Sequence, residues 1–104
     1  MNKSVVISGG SQGIGKALVK KFLAEQFTVY TCSRNQSKLD ALAAELGSDR
    51  LHTFAADLSQ KNQVLDFAAW VLKQTNQVDV LVNNTGVFIP GQIQNEAEDL
   101  LEKT

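Results

Sequence analysis

One cysteine, one proline, one histidine and one tyrosine are all that the 104 residues contain of each. The single thiol, Cys32, excludes an internal disulfide and offers no cysteine-based metal cluster, so a reduced, cytoplasmic setting is expected. An excess of either charge is missing as well: 10 Lys and Arg stand against 11 Asp and Glu, a formal net charge of -1. Neither a nucleic acid nor an anionic membrane is expected as a partner, since both call for concentrated positive charge. No apolar run approaches the ~20 residues of a membrane span. No charged start followed by an apolar core marks a secretory signal. There is no repeat at a fixed period, no low-complexity tract and no linker. What is left, 43% hydrophobic and 20% charged residues, reads as a single domain over residues 1–104 with a modest core.

The hydrophobic pattern alternates between two periods. Val5 to Ile7 reads as a short buried strand, and Gly15 to Glu25 as a helix with Ile14, Ala17, Leu18 and Phe22 near helical spacing. A second strand is expected from Phe27 to Ser33, rich in β-branched and aromatic residues. In "SKLDALAAELG", Leu39, Leu42, Ala43 and Leu46 fall at i, i+3, i+4 and i+7, and Gly47 is placed to stop the helix. A third strand is expected over Leu51 to Ala55. Ser59 is placed to cap a helix carrying Val64, Phe67, Ala68 and Val71. "VDVLVNN", Val78 to Asn84, reads as the fourth and most apolar strand. Pro90 falls just after it, where a loop is expected. A last helical pattern holds Ile93, Ala97, Leu100 and Leu101. Such β-α alternation predicts an α/β fold: a doubly wound, Rossmann-like parallel sheet with helices on both faces. With four strands this is a partial version of the fold, in the order 3-2-1-4.

The first strand runs into "SGGSQGIG". A strand feeding a helix through glycines brings unpaired backbone N–H groups and the positive end of the helix dipole to one spot, where phosphate binds well. Gly9 can make the tight turn out of the strand. Gly13 would let a pyrophosphate approach the backbone, and Gly15 would let the helix lie close to the sheet. The spacing is G-x-x-x-G-x-G rather than the common G-x-G-x-x-G. Ala17 after Gly15-Lys16 denies a Walker loop its hydroxyl. The plain alternative is a glycine-rich turn without a ligand. The other strand ends argue against it. Ser33 stands where an acid would take a ribose 2′-hydroxyl, and Arg34 follows, suited to a 2′-phosphate. NADP is therefore expected over NAD, although Gln12 adds no second positive charge. Asp57, just past the third strand, can accept from an adenine amino group, or else simply start the next helix. "LVNNTG" ends the fourth strand with two amides and a glycine.

These residues together resemble the short-chain dehydrogenase/reductase family. "SGGSQGIG" is similar to its T-G-x-x-x-G-x-G motif with Ser8 for Thr. Asp57-Leu58 matches its adenine-side pair, and "NNTG" resembles N-N-A-G with Thr85 for Ala. The resemblance implies that Gly9, Ser11, Gln12, Gly13 and Ile14 border the pyrophosphate and that Arg34 meets the 2′-phosphate. It places Asp57 and Leu58 at the adenine and Asn84, Thr85 and Gly86 at the nicotinamide-side ribose. Asn83 is expected to tie the sheet together.

Catalysis in that family is expected of a Tyr with a Lys four residues on, helped by a Ser and an Asn. Here Tyr30 is followed by Arg34 at that distance and reads as a core strand aromatic. His52 reads as a surface residue flanking a strand. The last helical pattern also reaches Thr104 without a stop signal. The expectation is therefore an NADP(H)-binding N-terminal part of an oxidoreductase acting on a carbonyl or alcohol, without turnover of its own. The alternative is a standalone dinucleotide-binding or dimerising module. The fourth strand would sit at an apolar edge, a hazard unless covered, so homo-oligomerisation through it or through the last helix is expected.

Overall fold

The structure, a computed structural model, describes residues 3–9, 11 and 13–83. The expectations for Gln12, Asn84, Thr85, Gly86, Pro90 and the last helix lie outside the described residues. The elements alternate as β1 (Ser4–Ser8), α1 (Gly13–Ala24), β2 (Thr28–Ser33), α2 (Gln36–Leu46), β3 (Leu51–Ala55), α3 (Lys61–Gln74) and β4 (Val80–Asn83). The strands form one sheet in the order β3-β2-β1-β4, every pairing parallel, as the alternation predicts. Among the described residues no helix is long and apolar enough to cross a membrane.

Period-2 alternation along the strands separates the two faces. Val5, Ile7 and Val29 pack with Val19, Leu18 and Phe22 of α1 and Leu46 of α2. Val6, Tyr30 and Cys32 point the other way, onto Val64, Phe67, Ala68 and Val71 of α3. β1 is buried over all 5 of its residues, which is why "VVI" is an unbroken apolar run: a central parallel strand is covered on both faces. His52 departs from the surface role expected of it. It is half-buried and its ring stacks on that of Tyr30 with centroids 5.1 Å apart, because its register opposite Tyr30 brings both onto the α3 face.

β4 clips β1 at both ends. The Ser4 N–H donates to Asp79 Oδ2 at 2.7 Å, and the Ser8 hydroxyl donates to Asn83 Oδ1 at 3.2 Å. Between them the Thr31 hydroxyl of β2 donates to the Ile7 carbonyl at 2.6 Å. Asn83 thus ties the sheet as expected.

Local chemistry sets the helix ends. Asn35 caps α2, its side chain accepting from the Lys38 N–H, and Gly47 ends it in the left-handed region at φ 53°. α1 ends on Gln26, at φ 70°. The Phe27 N–H returns to Phe22 O at 3.0 Å and the Gln26 N–H to Leu23 O at 3.0 Å, a Schellman closure. The Phe22 and Phe27 rings meet edge-to-face at 4.9 Å, so Phe27 belongs to the helix stop and β2 starts one residue later than expected. The cap foreseen at Ser59 is also corrected. Gln60 is the N-cap of α3 and makes no side-chain cap bond, because both donors of Ser59 turn back to Asp57.

Candidate functional site

The parallel register brings the strand tips level. Ser8 lies opposite Cys32 and Asn83, and Ser33 lies opposite Ala55. The residues that follow each strand, Gly9, Arg34 and the Ala56–Asp57 turn, therefore emerge along one edge. In parallel α/β sheets that edge is where ligands bind.

At the β1 tip, Gly9 turns the chain at φ 69°, and its N–H is fixed by the Cys32 carbonyl at 3.0 Å. Gly13 opens α1 at φ 62°, a conformation that L side chains rarely adopt. A Cβ built on it would meet nothing within 4 Å, so the backbone here borders open space. Gly15 is buried in α1. Ile14 is 73% exposed, an apolar side chain standing at the mouth of the turn. No acidic residue occupies the first turn of α1, which leaves the partial positive charge of that helix end uncancelled. The Cys32 thiol below the turn is pushed up to about 11 by burial, partly opposed by the Gly9 N–H. It is a core thiol at neutral pH.

Between the β1 and β2 tips lies a cleft of about 440 Å³ lined by Ser11, Ser33, Arg34, Asn35, Gln36, Ser37 and Lys38. The Ser11 hydroxyl donates to Ser33 Oγ at 3.1 Å, which also accepts from the Asn35 N–H at 3.3 Å. Ser33, standing where an acid would sit, thus joins the glycine turn to the start of α2. Two cationic residues line this cleft and no acid does. Arg34 is exposed and, among the described residues, forms no ion pair.

At the β3 tip, Asp57 Oδ1 accepts from the Ser59 hydroxyl at 2.7 Å and from the Ser59 N–H at 3.0 Å. These bonds, with a smaller contribution from the Arg34 charge, hold the Asp57 carboxyl below the usual aspartate range. The Asp57 N–H donates to Gln63 Oε1 at 2.6 Å. The Leu58 side chain is buried in the α3 core, so what it offers this edge is backbone. Tyr30 is buried among the same core residues, and burial raises its phenol above the ordinary value.

The structure thus gathers Gly9, Ser11, Gly13, Ile14, Ser33, Arg34 and Asp57 at one edge. It adds Asn35, Gln36, Ser37 and Lys38, which sequence reasoning did not single out. The signal was present in "SRNQSK": a capping Asn after Arg34, then a Lys on the first turn. Gln63 was also missed, and its reach back to the Asp57 backbone leaves no sequence signature.

A parallel sheet in this order, with a glycine turn at its first tip and a cation at its second, defines a nucleotide-binding α/β fold of the Rossmann type. The chain belongs to the short chain dehydrogenase family, whose sequence profile matches residues 3–104. An NADPH-dependent pterin aldehyde reductase of Arabidopsis thaliana is 35% identical over 87 residues, 83% of this chain and 36% of that protein. An alcohol dehydrogenase of the archaeon Thermococcus sibiricus, solved with 5-hydroxy-NADP, superposes with a TM-score of 0.71 at 27% identity, covering 78% of this chain and 36% of that one. Pseudomonas aeruginosa RhlG, solved in an NADP active-site complex, gives a TM-score of 0.73 at 28% identity over 82% of this chain and 35% of that one. The chain spans about a third of the length of the curated relatives it matches.

Proposed function

We propose that this chain is the NADP(H)-binding part of a short-chain dehydrogenase/reductase that acts on a carbonyl or alcohol. The observation that carries the reading is the acid-free cleft beside the glycine turn, with Arg34 at the β2 tip. A carboxylate there would accept from a ribose 2′-hydroxyl and repel a 2′-phosphate, whereas a guanidinium engages the phosphate with paired donors.

In this reading Gly9, Ser11, Gln12, Gly13 and Ile14 border the pyrophosphate, and Gly15 lets α1 lie close to the sheet. Ser33 and Arg34 hold the phosphorylated ribose. Asp57 and the Leu58 backbone meet the adenine, and Asn84, Thr85 and Gly86 meet the nicotinamide-side ribose. The residues present fit such a group: the turn leaves room for phosphate at Gly13, and both tips are free of acid. Bound NADPH would supply a hydride to the substrate. The chain's own part is to bind and orient the dinucleotide. Its single tyrosine lies in the core rather than at the strand tips, and the proposal assigns this chain cofactor binding without turnover of its own. A cytoplasmic setting and self-association through β4 or the last helix belong to the same proposal, and light scattering at high protein concentration tests the latter.

Titration with NADP⁺ and NAD⁺ by calorimetry tests the cofactor assignment. NADP⁺ is expected to bind more tightly than NAD⁺. Arg34→Gln removes about tenfold or more of that advantage, the size of one charge-assisted hydrogen bond, and leaves NAD⁺ binding unchanged. An unaltered protein that binds neither dinucleotide would overturn the reading.

A further inference from the structure

The two carboxylate oxygens of Asp57, at the β3 tip, have different surroundings. Oδ1 accepts from the Ser59 hydroxyl at 2.7 Å and from the Ser59 N–H at 3.0 Å, whereas Oδ2 takes no hydrogen bond among the described residues. The backbone of Asp57 is committed as well. Its N–H donates to Gln63 Oε1 at 2.6 Å, and its carbonyl accepts from the Gln60 N–H at 3.0 Å. The entry to α3 thus fixes every polar group of Asp57 except one carboxylate oxygen.

α3 gives up its own cap in this arrangement. Serine is among the best N-cap residues and glutamine is not, yet the cap position falls to Gln60, which makes no side-chain bond. Ser59 instead turns both donors onto the aspartate. A local helix preference set aside at a strand tip is the pattern expected where a site dictates the choice. The chemical consequence is specific. Donors on Oδ1 favour the ionised carboxylate, and the Ser59 hydroxyl is the first cause of the lowered Asp57 pKa. An ionised carboxylate accepts and cannot donate. With Oδ1 pinned, Oδ2 is an acceptor in one orientation. A purine with an amino group at its sixth position presents a donor to such an atom, and one with an oxo group presents a second acceptor.

We propose that Ser59 is a positioning residue of the nucleotide site, which clasps Oδ1 of Asp57 so that Oδ2 selects a 6-aminopurine dinucleotide over a 6-oxopurine one. This rests on the NADP(H) reading above and deepens it by naming the residue that sets the base preference. Ser59 touches no ligand in this scheme and acts only through Asp57. It is exposed, so Ser59→Ala removes the hydroxyl without opening the core.

The test is a set of calorimetric titrations with NADP⁺ and nicotinamide hypoxanthine dinucleotide phosphate, its 6-oxo analogue. They compare the unaltered protein with Ser59→Ala, Ser59→Thr and Asp57→Asn, and thermal unfolding is recorded for each. The unaltered protein is expected to prefer NADP⁺ by about tenfold or more. Ser59→Ala keeps the N–H bond and loses the hydroxyl, so the preference is expected to fall to about threefold. Ser59→Thr restores it. Asp57→Asn abolishes it, because an amide can turn either a donor or an acceptor to the base. A residue that merely holds the start of α3 would, when lost, weaken both nucleotides in parallel and leave their ratio intact. That result overturns the proposal, as does Ser59→Ala with unchanged affinities. Equal binding of the two nucleotides by the unaltered protein overturns it while leaving the cofactor reading in place, and needs no variant to fold. Binding of neither nucleotide sinks the cofactor reading and this inference with it.

Discussion

Two glycines of this chain share a left-handed backbone conformation but differ in position, Gly13 at the start of α1 and Gly47 at the end of α2, which makes them an informative pair. Gly13 sits at φ 62° and Gly47 at φ 53°, and a Cβ at either would meet nothing within 4 Å. Gly13→Ala and Gly47→Ala therefore cost the fold the same thing, an L residue held in the left-handed region. That is about 1–2 kcal/mol each, and for a domain of this size each kcal/mol lowers Tm by roughly 4–8 °C. Differential scanning calorimetry should find the two variants destabilised alike.

Their effect on ligand should diverge. The space beside Gly13 is where a pyrophosphate would approach the α1 amides, and a methyl group there pushes it off them. Losing two hydrogen bonds to a charged group, each worth about 1.5–3 kcal/mol, corresponds to a loss of affinity of roughly 100-fold or more. Gly47 lies at the far end of α2, so Gly47→Ala should bind NADP⁺ like the unaltered protein at temperatures where both are folded. Calorimetric titration of the pair decides the matter. If Gly13→Ala keeps full affinity, or if the two variants lose it equally, the open turn is not a phosphate cradle.

Two further expectations concern single side chains. Asp57 has its folded pKa lowered by the Ser59 donors first and the Arg34 charge last. The stabilisation is therefore complete above the ordinary aspartate range and disappears as pH falls through the lower folded value. Ser59→Ala should move the Asp57 titration, followed by carboxyl-carbon NMR, back up toward the ordinary range. The stability gap between the two proteins should narrow as pH drops below that range, and an unmoved Asp57 titration would contradict the assignment. Cys32 is 1% exposed and its thiol is pushed up to about 11, so a thiol reagent at neutral pH should label it only as fast as the protein unfolds. Rapid labelling of the native protein would contradict its burial.

Most of the framework was legible in the sequence because it rests on periodicity. Leu39, Leu42 and Leu46 at helical spacing, the β-branched run of β2 and the unbroken apolar run of β1 each have one natural reading. Parallel pairing then follows from the alternation of elements. The site was legible where glycine or charge marked it, at Gly9, Gly13 and Arg34. It was not legible where one polar residue serves another. Ser59 carries the composition of a helix cap, yet its hydroxyl and N–H are taken by Asp57, and the cap falls to Gln60, which no propensity favours. Gln26 holds a left-handed position usually given to glycine, which hides the end of α1. His52 looked like a surface residue because nothing in its neighbours in sequence shows that Tyr30 lies across the ladder.

The clip between β1 and β4 bears on the order in which the sheet can close. Ser4 with Asp79 and Ser8 with Asn83 each join residues 75 positions apart in the chain, and closing so long a loop is entropically slow relative to the helices between. The glycine turn depends on the second strand instead, since the Gly9 N–H donates to the Cys32 carbonyl of β2. The far side of β1 is therefore expected to be covered last, when the fourth strand pairs along it.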